Sequence, residues 1–371
     1  MRYNIALTIK RSSVSYTFAL GVYAPHWKGP QRLILTVDQD VVRDVGYTDG
    51  YNARGCAERL ARMPLDSAVQ LVARISSVAS HAHTFAFCSA LEAMWGVAVP
   101  ARAQCLRCAL AELERLTLHL STLAELTAAL GAQPRSTQIS ECYRTARRAT
   151  HALSGRAIMP DLCVPGGVRR DVPDEQRKQA LVLLEGLQRQ FFPLVDQLVD
   201  QPTLLARTVN LGILSREVAE RFQLRGPVAR AAGIGMDLRR DTPYAAYPQL
   251  EVRSVTQDGG DTHARLVVLL LEALESIRLT SLALQIMPDG EIRTLPPRDI
   301  PATQTSAAVE SPRGALRYTV QGDGQRLSSV TIAAPRTLDR LLARTLLTGL
   351  HLDNVIPVLI SVQADAADAE G

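Results

Sequence analysis

The residues best placed to do chemistry lie between Arg74 and Glu92, in R-I-S-S-V-A-S-H-A-H-T-F-A-F-C-S-A-L-E. This stretch puts Arg74, Ser76, Ser77, Ser80, His81 and His83 into an otherwise apolar segment of helical period. Polar groups set into a core must be hydrogen-bonded or bind something. Hydroxyls, imidazoles and guanidinium groups there can hold a ligand, carry a proton or place a positive charge. His81 and His83 are two residues apart, on different helix faces, so they do not form a two-histidine metal pair. The C-L-R-C at 105–108 has metal-type spacing but no second pair, and it lies mid-helix. Its cysteines read as small core hydrophobes. The A-A-G-I-G-M-D at 231–237 fails as a nucleotide loop, because no strand precedes it and no helix opens after it.

The elements around this stretch follow from periodicity. Residues 1–45 alternate, with Tyr3, Ile5, Leu7 and Ile9 on one face and β-rich runs at 33–37 and 41–42. They predict a small antiparallel sheet. Leu65 to Trp95 reads as one long buried helix, Ala101 to Leu130 as a second stopped by Gly131, and Ser136 to Ser154 as a third closed by Gly155. Asp174 to Asp200 and Thr262 to Met287 complete a bundle of long helices. Residues 226–247 form a long Gly/Pro/Arg loop, and 288–308 a solvated linker. Strands follow around the G-D-G turn at 322–324, then a helix over 337–350 and a strand over 355–362. The expected fold is α+β, mainly α. It divides into an N-terminal β unit (1–50), a helical bundle with interface loops (51–290) and a C-terminal α+β part (291–371).

Bulk properties exclude several classes. The 371 residues are 47% hydrophobic and 21% charged, so the chain is globular. A net charge of +4 with no basic, aromatic-interleaved stripe argues against nucleic acid. The apolar run at 266–271 is too short and its flanks too charged to span a bilayer. No signal peptide is expected at the N-terminus, and the six cysteines are expected to be reduced. Arginine pairs such as Arg239-Arg240 read as ion-pair formers.

Several stretches, taken in order, resemble one superfamily. They are R-G-C-A-E at 54–58, A-R-I-S-S-V-A-S-H-A-H at 73–83, V-P-A-R-A-Q-x-x-R at 99–107 and E-L-E-R-L-x-x-H-L at 112–120. P-G-G-V-R-R-D-V-P at 165–173, the 226–247 loop and E-S-P-R-G-A-L-R-Y at 310–318 follow. The set is similar to the hydrogenase-like quinone-site subunit of respiratory complex I, the NADH-quinone oxidoreductase. It is equally similar to the large subunits of energy-converting membrane-bound nickel–iron hydrogenases. The resemblance implies a peripheral subunit on the cytoplasmic side of the cell (inner) membrane, packed against a small iron–sulfur subunit carrying a 4Fe–4S cluster. Other hydrophilic-arm subunits and membrane-arm subunits would be partners, and quinone a possible ligand.

The departures from that pattern are specific. Ser76 and Ala79 stand where hydrogenases carry two thiolates, and Asp365 and Asp368 fall where the C-terminal pair would be. Hydroxyl and carboxylate cannot support thiolate-bound nickel–iron chemistry, so no metal bound by this chain and no hydrogenase activity are expected. Ser77 takes the place of the quinone-site tyrosine, and the headgroup histidine falls near Lys28, with His26 close by. A family histidine near the cluster falls at Met159, and Glu58 is one residue out of register. Arg74, kept, implies a charge beside the partner's cluster. His83, Ser77, Lys28 and His26 are candidate cavity groups, and Asp365 and Asp368 candidate proton sites. Two functions follow: electron transfer to quinone or a similar acceptor coupled to ion pumping, or a catalytically silent scaffold.

Overall fold

The computed structural model describes residues 15–24, 29–51, 53–158, 160–335 and 338–364. Strands β1 (Ser15–Leu20), β2 (Arg32–Asp38) and β3 (Val41–Thr48) form an antiparallel sheet in that order. The expected three-stranded sheet is present, and the Tyr3–Ile9 run lies outside the described residues. Helices α1 (Cys56–Leu60), α2 (Leu65–Val72), α3 (Ser80–Trp95), α4 (Ala101–Ala129) and α5 (Gln133–Ser154) follow. The short hairpin β4 (Cys163–Val164) and β5 (Gly167–Val168) leads into α6 (Asp174–Val199). Short helices α7 (Pro202–Thr208), α8 (Arg216–Arg221), α9 (Gly226–Arg230), α10 (Leu238–Asp241) and α11 (Tyr247–Leu250) precede α12 (Thr262–Gln285). A second antiparallel sheet, β6 (Gln304–Ser311), β7 (Gly314–Gly322) and β8 (Leu327–Ala333), is followed by α13 (Arg340–Leu347) and α14 (Val355–Ser361).

The main core is the bundle of α4, α5, α6 and α12, filled largely by leucine and alanine. Helix α4 sits at its centre, against both α5 and α12, so few of its faces reach solvent. A second core joins α3 to β6 and β7, with Phe85, Phe87 and Tyr318 at its middle. A third is shared by the two ends of the chain: Leu33, Leu35 and Val37 of β2 pack with Leu342 and Leu346 of α13 and Val358 of α14. Gly96 and Gly155 end α3 and α5 in the left-handed conformation (φ 65° and 68°), which glycine reaches without a Cβ penalty.

Four sequence expectations are corrected. The Leu65–Trp95 helix is two helices, broken over 73–79. The 226–247 loop carries short helices, and the 288–308 linker already contains the start of β6. The final 355–362 run is helix α14, not a strand. Pro357 falls in the first turn, where a missing N–H is no loss, and the helix packs against α4 and α12. No helix among the described residues is long and apolar enough to cross a membrane. All six cysteines are buried free thiols, and burial pushes Cys105 and Cys108 up, so both stay protonated.

Candidate functional site

The break at 73–79 creates the site. Serine side chains compete with the helix for backbone partners. The Ser76 hydroxyl oxygen accepts the N–H groups of Ala79 (3.1 Å) and Val78 (3.3 Å). Ser80 donates back to the Ala73 carbonyl (2.7 Å). The chain therefore bends, and α3 starts afresh at Ser80 with open N–H groups. Glu114 of α4 closes that end. Its two carboxylate oxygens accept the N–H of His81 (2.7 Å) and of Ala82 (2.9 Å). A carboxylate there also meets the positive end of the helix dipole. The His81 imidazole donates through Nε2 to the Arg107 carbonyl (2.8 Å), which fixes the neutral tautomer. Burial pushes His81 down to about 4, since the imidazolium would lose its water beside Arg107. Two anchors thus pin the first turn of α3 onto α4.

The other end of α3 holds the P-G-G-V loop. Glu92 and Arg107 form a bidentate pair, Nη2 to Oε1 at 2.6 Å and Nη1 to Oε2 at 2.9 Å, both side chains buried. The remaining Arg107 donors reach the carbonyls of Gly167 (2.8 Å) and Val164 (2.7 Å), and the Gly166 N–H donates to Glu92 (2.7 Å). The loop's other side pairs with residues 292–294, through Val168 N–H to Ile292 (3.0 Å) and Thr294 N–H to Gly166 (2.9 Å). Gly166 has φ +84°, and a Cβ built there overlaps the Thr294 carbonyl oxygen. Gly166→Ala is therefore expected to lower stability by about 2 kcal/mol or more through strain and the displaced strand pairing. A thermal melt unchanged from wild type would show that the loop relaxes freely.

Between the 77–80 bend, α4 and α5 lies a pocket rimmed by Ser77 and lined by Glu114, Thr117, Ser121, Tyr143 and Thr150, with Val78, Leu110 and Leu118 as its apolar part. The chain alone encloses only about 50 Å³ there. Small-molecule sites typically run to roughly 300–1,000 Å³, so this pocket is smaller than such a site. Ser77 is exposed at the rim, and Arg74 is exposed on the same bend, its Nη1 held by the Gln70 carbonyl (2.7 Å). Arg54 braces the bend from outside by donating to the Ile75 carbonyl (2.6 Å).

Of the expected site residues, the structure places Ser77 on this rim and Arg74 on the same 73–79 break, exposed but not lining the pocket. His83 sits apart from it, buried in α3, with Nδ1 2.7 Å from the Tyr318 hydroxyl on β7. Glu58 is exposed on α1. His26, Lys28, Met159, Asp365 and Asp368 lie outside the described residues. Sequence reasoning missed the wall of α4 and α5. The signal for it was present, because Glu114, Thr117 and Ser121 recur at helical spacing on one face. The residues at the two described thiolate positions do not fit nickel–iron chemistry. Ala79 offers no donor atom, and Ser76 already accepts two backbone N–H groups.

Comparison with known proteins bears on this arrangement. Residues 142–300 match the family described as the respiratory-chain NADH dehydrogenase 49 kDa subunit. The chain is 30% identical over 314 residues to the carbon monoxide-induced hydrogenase of Rhodospirillum rubrum, covering 84% of this chain and 86% of that one. It is 31% identical over 354 residues to an NADH-quinone oxidoreductase subunit of Salinispora arenicola, covering 92% and 90%. A chain of the membrane-bound sulfane sulfur reductase, an archaeal respiratory membrane complex, has the same fold. The TM-score is 0.89 at 24% identity, over 96% of this chain and 98% of that one.

Proposed function

Because the chain belongs to the family that unites the complex I 49 kDa-type subunits with membrane-bound hydrogenase large subunits, we propose that it forms one wall of an electron-accepting cavity. The complex would be a respiratory oxidoreductase bound peripherally at the cytoplasmic face of the membrane. An iron–sulfur partner supplies the other wall and the electrons. Quinone or a similar acceptor takes them, and the reaction is coupled to ion pumping. The observation that carries this reading is the hydroxyl-lined pocket opening at Ser77, on the same bend as the exposed Arg74. In this reading Arg74 lies beside the partner's 4Fe–4S cluster, where a positive charge favours the reduced cluster. Ser77 donates a hydrogen bond to the acceptor's oxygen. Glu114 and the hydroxyls of Thr117 and Ser121 keep the inner end of the pocket polar.

The second reading, a silent scaffold, is favoured by one observation. Ser76 has become a support for the backbone. Ser77→Trp in the assembled complex separates the two. The electron-transfer reading expects acceptor reduction to fall roughly 100-fold with the complex intact, as for a misplaced reactant. Unchanged turnover in an intact complex would leave the scaffold.

A further inference from the structure

Where α5 packs along α6 the surface opens into a second concavity, on the far side of Arg147 from the Ser77 pocket. It encloses about 330 Å³, within the lower range of small-molecule sites. Helical spacing makes its walls. Arg148, His151 and Ala152 stand three and four residues apart on α5, and Gln179 and Leu183 four apart on α6, so each helix turns one stripe into the groove. Ala152 and Leu183, with Ala157 just beyond the end of α5, give it an apolar floor. Arg147, Arg148 and His151 make one rim basic. Among the described residues no acidic side chain lines the groove, and no carboxylate stands within ion-pair distance of those three. Glu141, on the same helix, is taken by Arg144. The Arg147 guanidinium is held in place by neutral acceptors, Nε donating to the Tyr143 hydroxyl (2.9 Å) and Nη1 to the Ala157 carbonyl (2.7 Å), so its charge stays uncompensated.

We propose that this groove binds an organic carboxylate with an apolar chain. Arg147 and Arg148 take the carboxylate, and Ala152, Ala157 and Leu183 cover the chain. Two uncompensated guanidinium groups beside an apolar floor select an amphipathic anion. A bare oxyanion such as phosphate would satisfy the cations but leave the floor wet. An uncharged apolar molecule would cover the floor but strip water from the guanidinium groups and give nothing back. A carboxylate suits them because a guanidinium fork meets its two oxygens at once. Arg147 and Tyr143 also line the Ser77 pocket, so an occupant of the groove shares a side chain with that site. Binding in the groove does not depend on whether the Ser77 pocket accepts electrons.

Calorimetric titration of the full-length chain with decanoate, kept below its micelle concentration, tests the site. Saturable binding at a single site is expected, with decanol and inorganic phosphate each at least about 10-fold weaker, since each lacks one half of the recognition. Arg148→Gln is expected to weaken decanoate roughly 10-fold, as for one charge-assisted contact. Leu183→Glu, which sets a like charge on the floor, is expected to abolish binding. Phosphate binding as tightly as decanoate overturns the proposal. So does decanoate uptake that never saturates, and so does an affinity unchanged in both variants. Should either variant fail to fold, the comparison of decanoate, decanol and phosphate on the wild type decides. Decanoate that binds the chain alone but not the assembled complex also overturns it, and makes an acidic segment of a partner subunit the occupant.

Discussion

Arg107→Met is expected to lower the stability of the folded chain by about 3–5 kcal/mol, because it strands the Glu92 carboxylate in the core. Arg107 is 1% exposed and Glu92 6%. Their attraction offsets a large desolvation cost only while both are present. The same guanidinium also satisfies the Val164 and Gly167 carbonyls, which have no water to turn to. Arg107→Lys is expected to recover little, since an ammonium group cannot make the bidentate contact and reach two carbonyls at once. The double variant Glu92→Gln with Arg107→Met should lose less than Arg107→Met alone, because no uncompensated charge remains. Urea denaturation of the three variants measures this. A loss below about 1 kcal/mol for Arg107→Met would mean that the pair behaves like a surface ion pair and does not hold the loop.

The clamp also shows what the sequence disclosed. The long helices α4 and α5 were legible because their apolar period runs unbroken to a stop residue, Gly131 and Gly155. The Arg pairs read as ion-pair formers, and in one such pair both are: Arg239 pairs in the core with Glu112 and Asp237, and the exposed Arg240 pairs with Asp241. The break at 73–79 was hidden. Serine and alanine are compatible with a helix, and the bend depends partly on Glu114, 33 residues from His81 along the chain. No local pattern reports a cap supplied from another helix. Helix α14 was misread for a related reason: a short apolar run rich in Val and Ile looks the same whether it is a buried strand or a buried helix. Its packing against α4 and α12 decides, and that contact is non-local. Ser77 was legible as one of the polar residues set into an apolar stretch, and the resemblance added its place in a cavity, whereas only coordinates bring the α4 and α5 wall against it.

Acid is expected to loosen the site through His81, and the sign follows from its burial. In the folded chain this imidazole is held at about 4, against 6.5 for a solvated one. Between those values the unfolded chain binds a proton that the folded chain refuses, so stability falls as pH falls. The contribution is complete above the ordinary value and is lost on the way down to about 4. A shift of this size corresponds to about 3 kcal/mol. His119, also depressed by burial, adds a loss of the same sign. Glu272 acts lower, because its contribution is complete above the usual carboxylate value and is lost only toward about 2. His81→Gln keeps a donor for the Arg107 carbonyl but cannot titrate, so its stability at pH 4.5 relative to pH 7 should fall about 2–3 kcal/mol less than the wild type's. Parallel pH profiles for the two proteins, from urea midpoints, would show that His81 is not the titrating anchor. If the profiles diverge as expected, the first structure to yield in acid is the turn of α3 pinned to α4, and with it the Ser76–Ser80 bend that carries the pocket rim.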